Sequence, residues 1–227
     1  NTITLSCMAA TTNLQKGVTL IEMIVVVAII AAVSSVIIFN YSDFSTNVSV
    51  RNLAQEIALS VRKAQTYATS ARPIDGLSGV DSGSFPGYGI SFSVGGPLTP
   101  SDPMTPGPKQ FVLFAQVGGQ GDQPLYDKGL QCGNPSASDE CLESFAITTA
   151  DRITSICGIP GSGRPVCYTD AKVDITFERP SPDAIICLSA NQSEYLCTIP
   201  YVVINLESAK GLKRSVTIWT TGQISVQ

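Results

Sequence analysis

Hydrophobic and polar positions change their pattern twice along the chain. Residues 18–39 read VTLIEMIVVVAIIAAVSSVIIF, with Thr19, Glu22, Ser34 and Ser35 as the only polar members. As a helix at ~1.5 Å per residue the run covers about 33 Å, enough for a bilayer core of roughly 30 Å. A secretory h-region is shorter, ~7–15 residues, and Asn40-Tyr41-Ser42-Asp43 beyond the run offers no A-x-A-like site. The bland reading is a single-pass signal anchor. Lys16, immediately before it, predicts a cytoplasmic N-terminus.

Beyond Asn47 the pattern becomes amphipathic. Val50, Leu53, Ala54, Ile57, Ala58, Val61, Ala64, Ala68 and Ala71 recur at spacings of three and four, which places them on one helix face. Arg51, Glu56, Arg62, Lys63 and Gln65 lie largely off that stripe. The chain holds 19 glycines and 14 prolines, yet none between Val18 and Arg72. Random placement would put about eight there, so the gap marks helix. Pro73 ends it. The weak joint is Asn40 to Asn47, rich in Ser, Thr, Asn and Asp. One helix thus does two jobs: its first half needs lipid or other helices, and its second needs something to lie against.

After Pro73 the period changes from helical to alternating. Strands are predicted at Tyr88–Val94, Gln110–Val117, Phe145–Thr149, Ile153–Ile156, Lys172–Phe177, Ala184–Leu188, Tyr201–Leu206, Ser215–Thr220 and Gln223–Val226. Pro97–Pro108 reads as an exposed loop, and Thr221-Gly222 as the turn of a terminal hairpin. The fold class is α+β: a long N-terminal helix packed on an antiparallel β-sheet head. Strand order is not readable from the pattern.

Composition narrows the chemistry. Charged residues are only 14% and the formal charge is −4, which argues against a protein that wraps nucleic acid by overall charge. Histidine is absent, so Ser-His-Asp, Cys-His and His-containing zinc sites are excluded. The seven cysteines, Cys7, Cys132, Cys141, Cys157, Cys167, Cys187 and Cys197, include no C-x-x-C pair. Six are distal, which implies disulfides and a compartment outside the cytoplasm. Nearest-neighbour pairing would join 132–141, 157–167 and 187–197. Each would close a loop of about ten residues, worth roughly 2.5–3 kcal/mol in the chain-entropy model, but six cysteines allow about fifteen pairings.

Other clusters read as ordinary surface. Gly118-Gly119-Gln120-Gly121-Asp122 with Asp127 lacks the order of a calcium loop and reads as a turn. Lys210, Lys213 and Arg214 read as a solvated turn before the last hairpin. No nucleophile, carboxylate pair or phosphate loop stands out as catalytic, and no cofactor or metal site is expected.

The stretch Lys16-Gly17-Val18-Thr19-Leu20-Ile21-Glu22-Met23 resembles the type IV prepilin motif, in which a basic residue and glycine precede a cut and a long apolar run follows. The resemblance implies cleavage between Gly17 and Val18 by a membrane-embedded prepilin peptidase, with N-methylation of Val18. Val18 stands where the family usually has Phe. Glu22 is then the residue expected to guide assembly. Within the family, Asn52–Arg72, Tyr88–Phe92, Phe111–Phe114 and the segment LKRSVTIWTTGQISV are similar to FimT/GspH-type minor pilins and pseudopilins.

The organisation this implies is a leader at 1–17, a transmembrane and filament-core helix half at 18–39, an amphipathic half at 40–72 and a disulfide-bearing β-rich head at 73–227. The implied function is a structural subunit of a type IV pilus or type II secretion filament. Its implied partners are prepilin peptidase, other pilin or pseudopilin subunits, an inner-membrane assembly platform and membrane lipid. The protein would first be stored in the inner membrane, head outside the cytoplasm, and then enter the filament. Two other readings stay open: a membrane-tethered binding module that never polymerises, and a DNA-uptake minor pilin.

Overall fold

The computed structural model of the protein describes residues 17–70, 86–95, 106–116, 124–126, 132–133, 139–159, 163–190 and 195–227. Cys7, Lys16, Ala71, Pro73, Val117, the 97–105 part of the expected loop, Gly118–Asp122 and Asp127 lie outside the described residues. The chain forms two compact units, Asn1–Asp43 and Phe44–Gln227. Helix α1 (Leu20–Thr69) contributes to both.

In the first unit the stretch Leu20–Ile37 has a mean hydropathy of 2.8 and buries none of its length against the rest of the chain. Apolar all round, it has no buried face of its own to choose.

In the second unit α1 turns one face inward. Val50, Ala54, Ile57, Val61, Ala64 and Ala68 are fully buried, and the small alanines let the helix approach the strands closely. Burying a side chain the size of Ile57 contributes about 1.5–3 kcal/mol. Tyr67 meets Tyr88 edge-on, with ring centroids 5.6 Å apart. Gln65 departs from the expected polar face: it is buried, accepts from Arg62 and donates to the Pro182 carbonyl at 2.9 Å.

The antiparallel head is built from two five-stranded sheets. Strands β1 (Tyr88–Val94), β2 (Gln110–Ala115), β3 (Cys141–Ala146), β6 (Ala171–Phe177) and β7 (Ala184–Ala190) form the first, in the order β3-β2-β1-β6-β7. Strands β4 (Arg152–Gly158), β5 (Val166–Tyr168), β8 (Tyr201–Glu207), β9 (Lys213–Trp219) and β10 (Ile224–Val226) form the second, in the order β10-β9-β8-β4-β5. All of these pairings are antiparallel. The chain crosses between sheets after β3, β5 and β7.

Ile90, Phe92, Val173 and Ile175 from the first sheet share one core with Ile156, Val202, Ile204, Val216 and Ile218 from the second and with the inner face of α1. Alternation is clean on β8, where Val202, Ile204 and Leu206 point inward. On β1 it is hidden, because the reverse face of the first sheet is covered too. Val112, Phe114, Tyr126 and Cys141 form a second, smaller core there.

Two strands differ from expectation. The strand expected at Phe145–Thr149 lies at Cys141–Ala146. Phe145 stacks on Phe111 with centroids 4.8 Å apart, while Thr149 turns away to donate its hydroxyl to Asp151 at 2.8 Å. Strand β5 has no counterpart in the pattern, because its three residues are largely exposed and lean on β4 alone. The terminal hairpin closes at Gly222, whose φ of 75° suits glycine. Its N–H donates to the Trp219 carbonyl at 2.9 Å.

Candidate functional site

At the start of α1 the residues T-L-I-E form a helix cap. Thr19 is the N-cap: its hydroxyl accepts the Glu22 N–H at 3.3 Å, and its carbonyl accepts the Met23 N–H at 3.2 Å. Thr at the N-cap with Glu three residues later is the capping-box arrangement, so Glu22 falls in the first turn, at the positive end of the helix dipole. The T-x-x-E spacing was available as a signal for Thr19, and sequence reasoning passed over it.

Around this cap the chain makes few demands on itself. A Cβ placed on Gly17 would meet nothing within 4 Å among the described residues beyond its chain neighbours. Packing among the described residues therefore does not require glycine there. Val18 is 64% exposed, and Leu20, Ile21 and Met23 are exposed around Glu22. What the end of the helix offers is a small residue, a capped turn, one carboxylate and an uncovered apolar cylinder.

The six distal cysteines sit far along the chain from that end and form three disulfides. Cys157 and Cys167 are directly opposed on β4 and β5, with Cα atoms 3.9 Å apart. Cys187 joins Cys197 beside the Leu188–Leu196 bridge, which brings the chain after β7 back against it. Cys132 joins Cys141 at the start of β3 and lies against the second core.

A polar clasp on the reverse face of the first sheet escaped the sequence reading. Asp174, fully buried on β6, lies 3.5 Å from Lys172 Nζ on the same strand face. Lys172 also donates to the Tyr126 carbonyl and lies over the Tyr126 ring, 5.2 Å from its centroid. The Tyr126 N–H donates to Asp174 at 3.4 Å, and Thr176 donates to the Pro124 carbonyl at 2.9 Å. Together they strap the Pro124–Tyr126 segment over Phe114. Burial pushes the Asp174 carboxyl above its usual range, against the opposing pull of Lys172, Ser91 and the Tyr126 amide. For Lys172 burial pulls downward, but Asp174 and Tyr195 outweigh it and the ammonium is held above its usual range. The alternation of Lys172, Asp174 and Thr176 along β6 was the available clue, since it gives that strand one polar face.

Lys210, Lys213 and Arg214 lie at the β8–β9 turn. Ser208 and Leu212 close it by a 2.9 Å backbone hydrogen bond, and Gly211 takes a φ of 78°. Arg214 is not simply solvated: it donates to Asn47 of α1 at 3.2 Å.

Residues 12–38 match the prokaryotic N-terminal methylation motif. The N-terminal segment of the chain is type IV pilin-like. The match takes in Gly17, Val18, Thr19, Glu22 and the apolar stretch Leu20–Ile37, and stops short of the head. For this pilin-like chain the motif implies processing by prepilin peptidase and assembly with other pilins; members of the family are generally structural. No curated protein and no solved structure matches the chain.

Proposed function

We propose that the chain is a non-enzymatic filament subunit, a minor pilin or pseudopilin of a type IV pilus or type II secretion machine. The observation that carries this reading is the uncovered apolar cylinder Leu20–Ile37, capped by Thr19 and with Glu22 as its one charge, directly behind Gly17. Prepilin peptidase cuts between Gly17 and Val18 on the cytoplasmic side, with Lys16 as the preceding basic residue, and methylates Val18.

The apolar half of α1 then serves two environments in turn. In the inner membrane it is a single-pass anchor with the head outside the cytoplasm, where three disulfides are stable. In the filament it packs among the same segments of other subunits. Cleavage frees an amine on Val18, four residues before Glu22 and just outside the Thr19 cap. Glu22 of an incoming subunit pairs with the Val18 amine of its neighbour and sets the register.

Mass spectrometry of the mature protein from its native host, taken separately from membrane and sheared-filament fractions, tests the proposal. The expected N-terminus is N-methylated Val18 in both fractions. A terminus before Val18 would reject the processing step. Mature protein confined to the membrane would make the chain a tethered binding module instead.

A further inference from the structure

A disulfide on the outer face of the second sheet has no part in the filament chemistry above. On β8 the side chains of Val202, Ile204 and Leu206 enter the core, so Asn205 points to the opposite face. Its Nδ2 donates to Ser155 Oγ at 2.9 Å and to Cys157 Sγ at 3.0 Å, both on the neighbouring β4. Cys157 is only 5% exposed, and its disulfide partner Cys167 stands directly opposite on β5.

The two ends of this disulfide differ in access. Cys167 is exposed, at the end of a run of exposed residues that begins at Gly163. Strand β5 closes the order of its sheet and pairs with β4 alone among the described residues. Tyr168 packs against the core and anchors the far end of the strand. The other two disulfides are set deeper. Cys141 and Cys187 are fully buried, and their partners Cys132 and Cys197 are half-buried. Cys132 lies on the second core, and Leu196 beside Cys197 is held to Leu188 by two backbone hydrogen bonds. Of the six distal cysteines, Cys167 is the exposed one.

We propose that Cys157–Cys167 is a thiol-exchange site, at which the head is joined reversibly to a thiol through Cys167. An incoming thiolate attacks Cys167 Sγ. A new S–S bond forms to Cys167 as its bond to Cys157 breaks, and Cys157 keeps the electron pair and leaves as a thiolate. Burial of Cys157 directs the attack to the other sulfur. The Asn205 N–H faces the leaving sulfur as charge develops there, and a donor to the charged form favours it. One disulfide is exchanged for another, so nothing is oxidised or reduced in this step. Cys157 stays on β4 opposite Cys167, and its return attack recloses the bond and expels the thiol. A second thiol that attacks the mixed disulfide instead leaves both cysteines reduced and the two thiols joined as their own disulfide.

The ligand is a thiolate, carried by a small molecule or by a cysteine of another protein. Arg164, Val166 and Cys167 are all exposed on the way into and along this edge strand, which leaves room for either source. Opening the bond also unpins β5. Its pairing with β4 covers three residues, so without the covalent tie the strand is held by that short pairing and by Tyr168. The residues before Cys167 gain freedom, and the other strands keep their partners.

The test uses the full chain in detergent under native conditions, with reduced glutathione in one arm and thioredoxin lacking its resolving cysteine in the other. Samples are quenched with excess alkylating agent and mapped by peptide mass spectrometry. The expected product carries glutathione on Cys167 and the alkyl group on Cys157, formed before 132–141 or 187–197 opens. Thioredoxin trapped on Cys167 as well assigns the site to protein thiols; glutathione alone assigns it to small ones. Asn205→Ala should slow the opening about threefold, from roughly one pKa unit on the leaving thiol and a Brønsted slope near 0.5. Asn205→Asp keeps the shape but sets a carboxylate beside that sulfur, and should slow it at least as much. An unchanged 187–197 bond in each variant reports an intact fold, and the order of opening in the unaltered chain decides without any variant. Glutathione on Cys157, another disulfide opening first, or opening only in denaturant overturns the proposal. So does an unchanged rate in both Asn205 variants.

Discussion

Lys172 Nζ lies 3.5 Å from the fully buried carboxylate of Asp174, two residues along the same strand, and the pair carries the strap at Pro124–Tyr126. Removing one member of such a pair costs more than the pair contributes, because the survivor is left charged and dry. Lys172→Met should therefore destabilise the head by about 3 kcal/mol at neutral pH, and adding Asp174→Asn should restore much of that loss.

The pH dependence of that loss has a definite sign. The raised Asp174 carboxyl takes up its proton in the folded state at a pH where the unfolded chain stays ionised. Its contribution to stability is fully present below the ordinary carboxyl range and is lost as pH rises through the raised value. Without Lys172 that value rises further, so the deficit of Lys172→Met should shrink as pH falls from 7 toward 5. Urea unfolding of the detergent-solubilised chain, followed through Trp219, the single tryptophan, measures this. A deficit independent of pH would mean that lost packing of the lysine stem, not charge, is responsible.

Gly17→Phe should block maturation and leave the folded head untouched. Among the described residues, none beyond its chain neighbours comes within 4 Å of a Cβ at this position, so the expected requirement for glycine comes from the peptidase cleft. Immunoblots should show only the precursor, while urea unfolding stays at the wild-type midpoint. Normal cleavage would leave Gly17 without a role.

Glu22→Ala should separate processing from assembly. The variant span is more apolar and Gly17 is unchanged, so insertion and cleavage should proceed. The helix keeps its Thr19 cap through the backbone N–H at position 22. Loss of the carboxylate removes the partner proposed for the neighbouring Val18 amine, and filament incorporation should fall at least tenfold, an effect of about 1.4 kcal/mol or more. Comparing membrane, cleaved and sheared fractions reads it out. Wild-type amounts in filaments would make Glu22 a bystander.

Gly222→Ala should destabilise the head by about 1–3 kcal/mol. The residue turns the last hairpin at a φ of 75°, and an added Cβ would come within 2.3 Å of Gln65 Nε2 and 2.5 Å of the Pro182 carbonyl. The clash lies where α1 meets the hairpin turn, so Gln65→Ala in the same chain should recover part of the loss. Additive losses in the double variant would place the whole effect in the turn.

The sequence by itself determined the elements whose causes are local. A run of apolar residues without glycine or proline specifies α1, and its change to a three-and-four spacing at Val50 specifies which face is later buried. Period-two patterns placed β1, β6, β8 and the β9–β10 hairpin to within two residues at each end, because alternation and turn residues act over a few positions. The Thr19 cap has a local cause as well, since its hydroxyl and the Glu22 N–H lie three residues apart.

Only the tertiary structure decided the rest. The division into two sheets depends on which distant strands pair, and three crossings between sheets leave no periodic trace. Gln65 is buried because Pro182 and Gly222, more than a hundred residues away, supply its partner and its wall. Asp174 is sheltered by a segment some fifty residues upstream, and Arg214 reaches Asn47 across most of the chain. A local pattern can rank a residue as polar. Whether that polarity is buried in a clasp, bonded to a distant helix or left in water is set by groups remote in sequence, and their positions exist only once the chain has folded.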